Sequence, residues 1–362
     1  MIPLVKTNIP SRERLMPELE KVLYSGYVAQ GEKVEEFERA FEAFIGKGYS
    51  LSLNSGTAAL HIALILAGVK PGDEVISTPL TAEPTNVAIK MAGAKIRYVD
   101  IDYETGNIDP DCVETKINSK TKAILVVDYA GTPVNVTRLQ KVSEKYRIPV
   151  IEDAAHALGA KFNGKLTGNH FPYTVFSFQA IKHLTTIDGG VLQIQNQEEY
   201  EKGKLIRWFG IDKKLPRLDN DIKLQGYKYQ MNNVIATIGL VQLNGINKII
   251  DSFISNGKYY DEALKNIPRI ELLNYYKGSE PSYWLYTMKV ENRDDFIKKL
   301  AENDIMASEL HKRSDSHTYL NDFNEELSSM DRFFKKLVHI PCGWWVTPED
   351  RERIVEIIKK GW

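Results

Sequence analysis

The spacing of apolar residues predicts two helices near the start of the chain. Val34, Phe37, Phe41 and Phe44 step by three, four and three positions, which places them on one stripe of an amphipathic helix that ends at Gly46. The next segment, SGTAALHIALILAGV, is apolar on nearly every side. It predicts a buried helix that starts with Ser, Gly and Thr.

Short β-branched runs separated by helical patterns follow. These runs are EVIST, AKIRYVDI, KAILVVDYA, IPVIEDAAH, TVFSF and GGVLQIQ. Runs without alternation are typical of strands covered on both faces, and interleaved helices imply parallel crossovers. The sequence therefore predicts a large α/β domain with a mostly parallel central sheet over residues 1–245.

The pattern changes after residue 245. Strands are predicted for ELLNYY, SYWLYTMKV and MASELH, and amphipathic helices for RDDFIKKLAEN and PEDRERIVEIIKKGW. We expect a smaller α+β domain over residues 246–362. Trp344 and Trp345 are expected to anchor its last helix rather than to bind a ligand.

Charge and cysteine content narrow the classes of partner. Lys and Arg total 47 against 48 Asp and Glu, a formal net charge of −1. A chain with this charge balance has no net positive field that would attract a polyanion or an acidic membrane. Neither nucleic acid nor a membrane is therefore an expected partner. Cys112 and Cys342 are far apart and no His pair has metal-ligand spacing, so we expect a cytoplasmic protein without a metal.

Lys182 lies in SFQAIKHLTTIDGG, between a predicted strand and a Gly-Gly pair. A lysine is most often a solvated surface charge. Here the apolar neighbours Phe178, Ile181 and Leu184 would desolvate the amine, lower its pKa and make it nucleophilic. Capture of a carbonyl group as a Schiff base is the functional alternative.

Two further segments have both a structural and a functional interpretation. In VIEDAAH, Asp153 either caps a helix or holds a cationic ligand group at the carboxyl edge of a parallel sheet. In NSGTAAL, Gly56 and Thr57 begin a helix, which is either a plain helix start or an anion site. The lysine would suit an aldehyde, the carboxylate a ring nitrogen, and the helix start a phosphate. Pyridoxal phosphate has all three groups.

At these motifs the sequence resembles the DegT/DnrJ/StrS family of sugar aminotransferases, which are fold-type I pyridoxal-phosphate enzymes. The resemblance covers nearly the whole chain. It is carried, in order, by YVAQGEKVEEFE, NSGTAALHIAL, VIEDAAHALGAKFNGKLTGN, SFQAIKHLTTIDGG, GYKYQMNNVIATIGLVQL, SYWLYTMKV and IPCGWW.

The resemblance implies roles for individual residues. Lys182 matches the lysine that bonds to the cofactor aldehyde and then moves a proton to and from the substrate carbon. Asp153 matches the carboxylate that keeps the pyridine nitrogen protonated, and His156 lies where the family has Gln or His near the phenolic oxygen. The positions that match the phosphate site are Gly56, Thr57 and Ser177.

Some positions depart from the family pattern. In GYKYQ, Lys228 stands where the family has an Asn that reaches the phosphate of the neighbouring subunit, which implies a homodimer with shared sites; the alternative is a solvated lysine at a strand edge. Ala82 stands where an aromatic often covers the cofactor ring, and Asp128 replaces a usual His.

A cationic stretch near the C-terminus, SELHKRSDSHTYL, lies where the family places substrate contacts. His311, Arg313 and His317 are therefore candidates for binding a diphosphate, with a solvated loop as the alternative.

The expected activity is transfer of an amino group from L-glutamate to a keto group of a nucleotide-linked deoxysugar, in lipopolysaccharide or other surface-glycan biosynthesis. One alternative is a nucleotide-sugar dehydratase with the same cofactor, in which the lysine is commonly replaced by His. Lys182 favours the aminotransferase, although His183 is adjacent. The other alternative, a non-catalytic cofactor- or sugar-binding regulator, lacks support in the charge balance. Neither the nucleotide nor the sugar follows from the motifs.

Overall fold

The computed structural model describes all 362 residues. Its α-helices, in chain order, are α1 Arg12–Leu23, α2 Glu32–Ile45, α3 Gly56–Leu66, α4 Glu83–Met91, α5 Pro110–Lys116, α6 Val136–Tyr146, α7 Gln197–Arg207, α8 Asn233–Leu243, α9 Ile246–Leu264, α10 Arg293–Ala301, α11 Ser328–Lys336 and α12 Pro348–Lys359. Its strands are β1 Tyr49–Leu53, β2 Glu74–Ser77, β3 Lys95–Tyr98, β4 Thr121–Val127, β5 Val150–Asp153, β6 Lys161–Phe162, β7 Lys165–Leu166, β8 Tyr173–Ser177, β9 Gly190–Ile194, β10 Ile270–Leu272, β11 Ser279–Glu280, β12 Tyr286–Val290 and β13 Leu337–Ile340.

The main sheet confirms the predicted α/β class. Its strand order is β1-β9-β8-β5-β4-β2-β3, and β9 alone runs antiparallel to its neighbours. The pairs β2–β3, β2–β4, β4–β5 and β5–β8 are parallel. Every predicted strand of this region is present, so the apolar runs identified the sheet correctly.

The sheet has one strand that the apolar pattern did not predict. In β1, Ser50 and Ser52 alternate with leucines, which resembles a half-exposed segment, yet both serines are fully buried. The Ser50 hydroxyl donates to Gln193 Oε1 at 2.6 Å and the Ser52 hydroxyl donates to Glu38 Oε1 at 2.7 Å. Hydrogen bonds from distant elements therefore make a buried polar face possible.

The predicted amphipathic helix is α2, and Gly46 ends it with a left-handed φ of 94°. Phe41 lies at the centre of its buried face, with ring centroids of Phe176 and Phe178 at 5.3 and 5.5 Å. Both partners come from β8 and the residue that follows it. Because β8 leads directly to the segment of Lys182, this aromatic cluster anchors the chain just before the candidate lysine.

The C-terminal region forms a second, three-stranded sheet in the order β10-β12-β13. The strand predicted for MASELH is wrong, because that segment makes only an isolated bridge, at Ser308. Leu310 there has a φ of 61°, which an extended strand cannot contain. The third strand is β13, which was not predicted, and the domain boundary at residue 245 stays a prediction.

Trp345 packs against the core of this region and its ring N–H donates to the carbonyl of Pro3 at 2.9 Å, as expected for an anchor. None of the helices combines the length and the apolar content that crossing a lipid bilayer demands.

Phe41→Ala tests the aromatic cluster. Phe41 is 0% exposed, so its truncation should lower the free energy of unfolding by about 3–5 kcal/mol, measured by chemical denaturation. The control is Leu218→Ala, whose side chain is 99% exposed and whose loss should cost less than about 0.5 kcal/mol. Equal effects of the two substitutions would contradict the packing described here.

Candidate active site

A cavity of about 370 Å³ opens at the carboxyl edge of the main sheet. Among its lining residues are seven of those singled out in the sequence: Gly56, Thr57, Asp153, His156, Ser177, Lys182 and His311. A larger cavity of about 650 Å³ lies between α2 and α7 and contains none of them. The fold therefore brings most of the predicted site residues, which span more than half of the chain, to one place.

The first turn of α3 forms one wall of the cavity. The side chain of Ser55 caps the helix by accepting from the Ala58 amide at 3.1 Å, and this leaves the N–H groups of Gly56 and Thr57 without an intrahelical acceptor. A Cβ on Gly56 would lie 3.0 Å from the Cβ of Ser177. Backbone N–H groups and a serine hydroxyl thus converge on a space that suits an anion.

Asp153, the last residue of β5, is 4% exposed. Its Oδ2 accepts from the Thr85 hydroxyl at 2.8 Å and its Oδ1 accepts from the Ala155 amide at 3.1 Å. Burial raises the pKa of Asp153, while these hydrogen bonds and the charge of Lys182 oppose that shift. The local Ala155 bond is the structural role that the sequence left open, and it coexists with a position in the cavity wall.

Lys182 follows β8, is partly buried and lines the cavity. Desolvation lowers the pKa of this amine to about 7, with the charge of Asp153 acting in the opposite direction. The Nζ atom lies 4.0 Å from the centre of the Trp284 ring. A large fraction of the amine is therefore neutral near pH 7, as nucleophilic attack on a carbonyl requires.

His156 has an unusual environment. It is 3% exposed and its Nδ1 has no hydrogen-bond partner. Its ring stacks on Trp284 with a centroid distance of 3.9 Å, and the His311 ring is parallel to it at 6.4 Å. Burial holds the pKa of His156 well below its usual range, so the ring is neutral and Nδ1 can bond to a ligand atom.

The other cationic candidates lie outside the cavity lining. Arg313 is held by Asp315, at 2.6 Å, and by Asp331. His317 lies 3.8 Å from Glu83, a cavity residue that His311 also approaches, at 3.7 Å. A substrate role for these side chains stays a prediction.

Lys228 is exposed and does not line the cavity of its own chain. The backbone around it is fixed beside the start of α3: the Asn54 amide donates to the Tyr229 carbonyl at 2.8 Å, and Asn54 Nδ2 donates to the Lys228 carbonyl at 3.2 Å. The predicted contact of Lys228 with a neighbouring subunit stays a prediction.

The sequence motifs missed several cavity residues, among them Glu83, Thr85 and Trp284. Thr85 and Glu83 lie in the PLTAEPTN segment, in which the family pattern marks only Ala82. Trp284 lies just before β12, more than 100 positions from Lys182, so only the aromatic run SYWLY hinted at it. Ala82 does line the cavity, and the aromatic surface there comes from His156, Trp284 and His311.

Residues 10–359 match the DegT/DnrJ/EryC1/StrS aminotransferase family. The chain belongs to this family. Its fold is similar to the crystal structure of the sugar aminotransferase CalS13 from Micromonospora echinospora, with 37% identity, a TM-score of 0.97 and coverage of 100% of both chains. The predicted fold type and family resemblance are thereby confirmed.

Two further relatives bear on chemistry. A UDP-4-amino-4,6-dideoxy-N-acetyl-β-L-altrosamine transaminase from Campylobacter jejuni is 32% identical over 95% of each chain. A sugar aminotransferase described as putative, Spr1654 from Streptococcus pneumoniae, is 29% identical in its pyridoxamine-phosphate form, with a TM-score of 0.92 and coverage of 99% of this chain and 97% of that one. Its pyridoxal-phosphate form is 28% identical, with a TM-score of 0.91. The family member described here is a pyridoxal-phosphate-dependent sugar aminotransferase.

Gly190→Ala tests the proposed anion site at the start of α3. A Cβ at Gly190, the first residue of β9, would lie 2.7 Å from the Gly56 amide nitrogen and would displace the start of α3. We expect pyridoxal phosphate to bind at least about tenfold more weakly, measured by fluorescence titration of the cofactor-free protein.

The control for that substitution is Gly203→Ala in α7, where the added Cβ approaches the flexible side chain of Leu51 at 3.0 Å. This variant should bind the cofactor as the wild type does, with circular dichroism used to verify both folds. Unchanged binding by a folded Gly190→Ala protein would show that α3 does not hold the phosphate.

Proposed function

We propose that the protein transfers an amino group from L-glutamate to a keto group of a nucleotide-linked deoxysugar, as a step in surface-polysaccharide or other glycan synthesis. The relative from Campylobacter jejuni supports the acceptor class, because its name describes amino transfer involving a UDP-linked sugar. The observation that carries the proposal is the meeting of Lys182, Asp153 and the start of α3 in one cavity.

The residues of the cavity suit the cofactor of the family. The N–H groups of Gly56 and Thr57 and the hydroxyl of Ser177 would hold its phosphate, and the orphaned Nδ1 of His156 is available to its phenolic oxygen. Asp153 would pair with its pyridine nitrogen. When bound, the cofactor supplies an electron sink for the carbanion that forms when the substrate α-proton leaves.

Lys182 has two tasks in this proposal. Its neutral amine would hold the cofactor through the aldehyde carbon, and as a free amine it would accept the proton of the substrate carbon and return it. A pKa near 7 suits both tasks, because a general acid–base group works best when its pKa is close to the working pH. The carboxylate of Asp153 would stabilise the protonated pyridine nitrogen.

The dehydratase alternative receives no support from His183. This residue is adjacent to Lys182, but it is 2% exposed and does not line the cavity. Its Nε2 lies 3.2 Å from the Ser282 carbonyl, and its ring packs against Phe253. Lys182 is thus the basic group of this segment that faces the cavity.

We also propose a cytoplasmic location. Cys112 and Cys342 are free thiols, which is typical of proteins in a reducing compartment.

Lys182→Ala tests the catalytic assignment. The wild type with pyridoxal phosphate should show the absorbance band of lysine-bound cofactor, and L-glutamate should bleach this band. The variant should not show the band, because it lacks the amine. The control is Lys277→Ala, an exposed lysine outside the cavity. A retained band in Lys182→Ala would contradict the role of Lys182, and a wild-type band that ignores glutamate would contradict the donor.

We further propose a homodimer in which Lys228 of one copy contacts the cofactor phosphate of the other. If so, Lys182→Ala and Lys228→Ala homodimers should each be inactive. Unfolding and refolding them together should restore about a quarter of the wild-type activity, because half of the dimers then contain one intact site. The readout is transamination of a nucleotide-linked ketosugar. Absence of recovery, or an active Lys228→Ala homodimer, would contradict the shared site.

A further inference from the structure

We propose that Trp284 is the positioning residue for Lys182: its indole face holds the protonated amine, and its ring N–H fixes the peptide that carries the lysine. The inference rests on the proposed catalytic role of Lys182. Trp284 comes from the C-terminal part of the chain, two residues before β12 begins, and no sequence motif assigns it to the site.

The first contact is with the backbone next to the lysine. Trp284 is 1% exposed, and its Nε1 donates to the carbonyl of Ile181 at 2.9 Å. Ile181 directly precedes Lys182, so this bond fixes the peptide unit from which the lysine side chain starts. Together with the contact between His183 Nε2 and the Ser282 carbonyl, this bond ties the loop between β8 and β9 to the segment that leads into β12.

The second contact is with the amine itself. Lys182 Nζ lies 4.0 Å from the centre of the Trp284 ring, well inside the distance at which the negative face of an indole attracts a cation. Such an attraction strengthens as water is excluded, and Lys182 is partly buried, with desolvation lowering its pKa.

Few other groups around Lys182 can interact with the charge of its protonated amine. Asp153 is the opposite charge that favours the ammonium form. His156, His183 and His311 also face Lys182, but burial lowers the pKa of each, that of His183 to about 4, so they are neutral near pH 7. Glu83 and Asp188 also line the cavity, but the carboxylate whose charge raises the pKa of Lys182 is that of Asp153. The indole face and Asp153 are therefore the two groups that stabilise the charged amine.

This arrangement gives the free lysine a defined place. As the free base of the proposed reaction, the amine would take up a proton, and it would then have the charge that the indole face attracts. His156 stacks on the same ring system at 3.9 Å, so Trp284 orients two cavity side chains at once. A poorly placed ammonium would return its proton to the substrate less often.

The test uses cofactor-free protein and measures the pKa of Lys182 from the pH dependence of its acetylation by acetic anhydride, read by peptide mass spectrometry. Trp284→Phe and Trp284→Met both remove the ring N–H, but only Phe keeps an aromatic face. We expect the pKa of Lys182 to be about half a unit to one unit lower in the Met variant than in the Phe variant. Equal values, or a higher value in the Met variant, would overturn the inference.

A second measurement avoids any packing defect. Tryptophan with one, two or three ring fluorines keeps its shape and its N–H while the negative charge of its face declines. The pKa of Lys182 should fall stepwise with the number of fluorines in the wild-type chain. In a Trp284→Phe chain, whose other tryptophans are equally fluorinated, it should stay constant. A constant pKa in the wild-type chain would contradict the indole contact.

The ring N–H is tested by hydrogen exchange of residues 179–186 in the cofactor-free protein. Trp284→Phe should speed this exchange, because the Ile181 carbonyl loses its donor. The matched control is Trp362→Phe, since Trp362 likewise donates to a backbone carbonyl, that of Glu291 at 2.8 Å, and faces a cation, Arg269 at 4.6 Å. Trp362→Phe should leave exchange in residues 179–186 unchanged. Equal exchange in the Trp284→Phe and wild-type proteins would contradict the claim that the ring N–H of Trp284 fixes the peptide before Lys182.

These outcomes are separable from the proposed function. If Lys182→Ala keeps the absorbance band of bound cofactor, the catalytic assignment fails whatever Trp284 does. If that assignment holds but the pKa of Lys182 ignores the ring at position 284, only the positioning role fails.

Discussion

The free-energy cost of enclosing one lysine amine shapes this molecule. Desolvation brings the pKa of Lys182 from 10.5 to about 7, and a shift of that size corresponds to several kcal/mol of lost solvation. The charge of Asp153 returns part of that cost. The remainder must be supplied by the packing around the amine, because a lysine in water is neither neutral near pH 7 nor held in one position. Its reactivity is therefore a property of its surroundings.

The sheet provides those surroundings because of its topology. Parallel strands bring their carboxyl ends to one edge, so Asp153 at the end of β5 and Ser177 at the end of β8 become neighbours of the α3 start. The reversed strand β9 enters at the same edge through Gly190, which pairs with Ser177. The start of α3, the carboxylate of Asp153 and Lys182 thus meet at one edge of the sheet. Together they suit one ligand with a phosphate, a ring nitrogen and an aldehyde.

Local sequence was sufficient for the elements whose signal is local. The stripe of Phe37 and Phe41 predicted α2, and apolar neighbours of Lys182 predicted its desolvation. Other features depend on distant partners: the buried serines of β1 are satisfied by Glu38 and Gln193, and Thr85 binds Asp153 across 68 positions. The apolar pattern of MASELH predicted a strand, but left-handed backbone at Leu310 prevents one. Trp284 contributes to the site only through tertiary contact, so no motif search could assign it.

The central claim is that burial, opposed by Asp153, sets the pKa of Lys182, and the most direct measurement of it is a pH titration of Asp153→Asn. In the cofactor-free wild type the amine should titrate at about 7. Removing the carboxylate charge should lower that pKa further, because the ammonium form loses its partner while the enclosure remains. A wild-type lysine that titrates near its ordinary value of 10.5, or a pKa that rises in Asp153→Asn, would contradict the account.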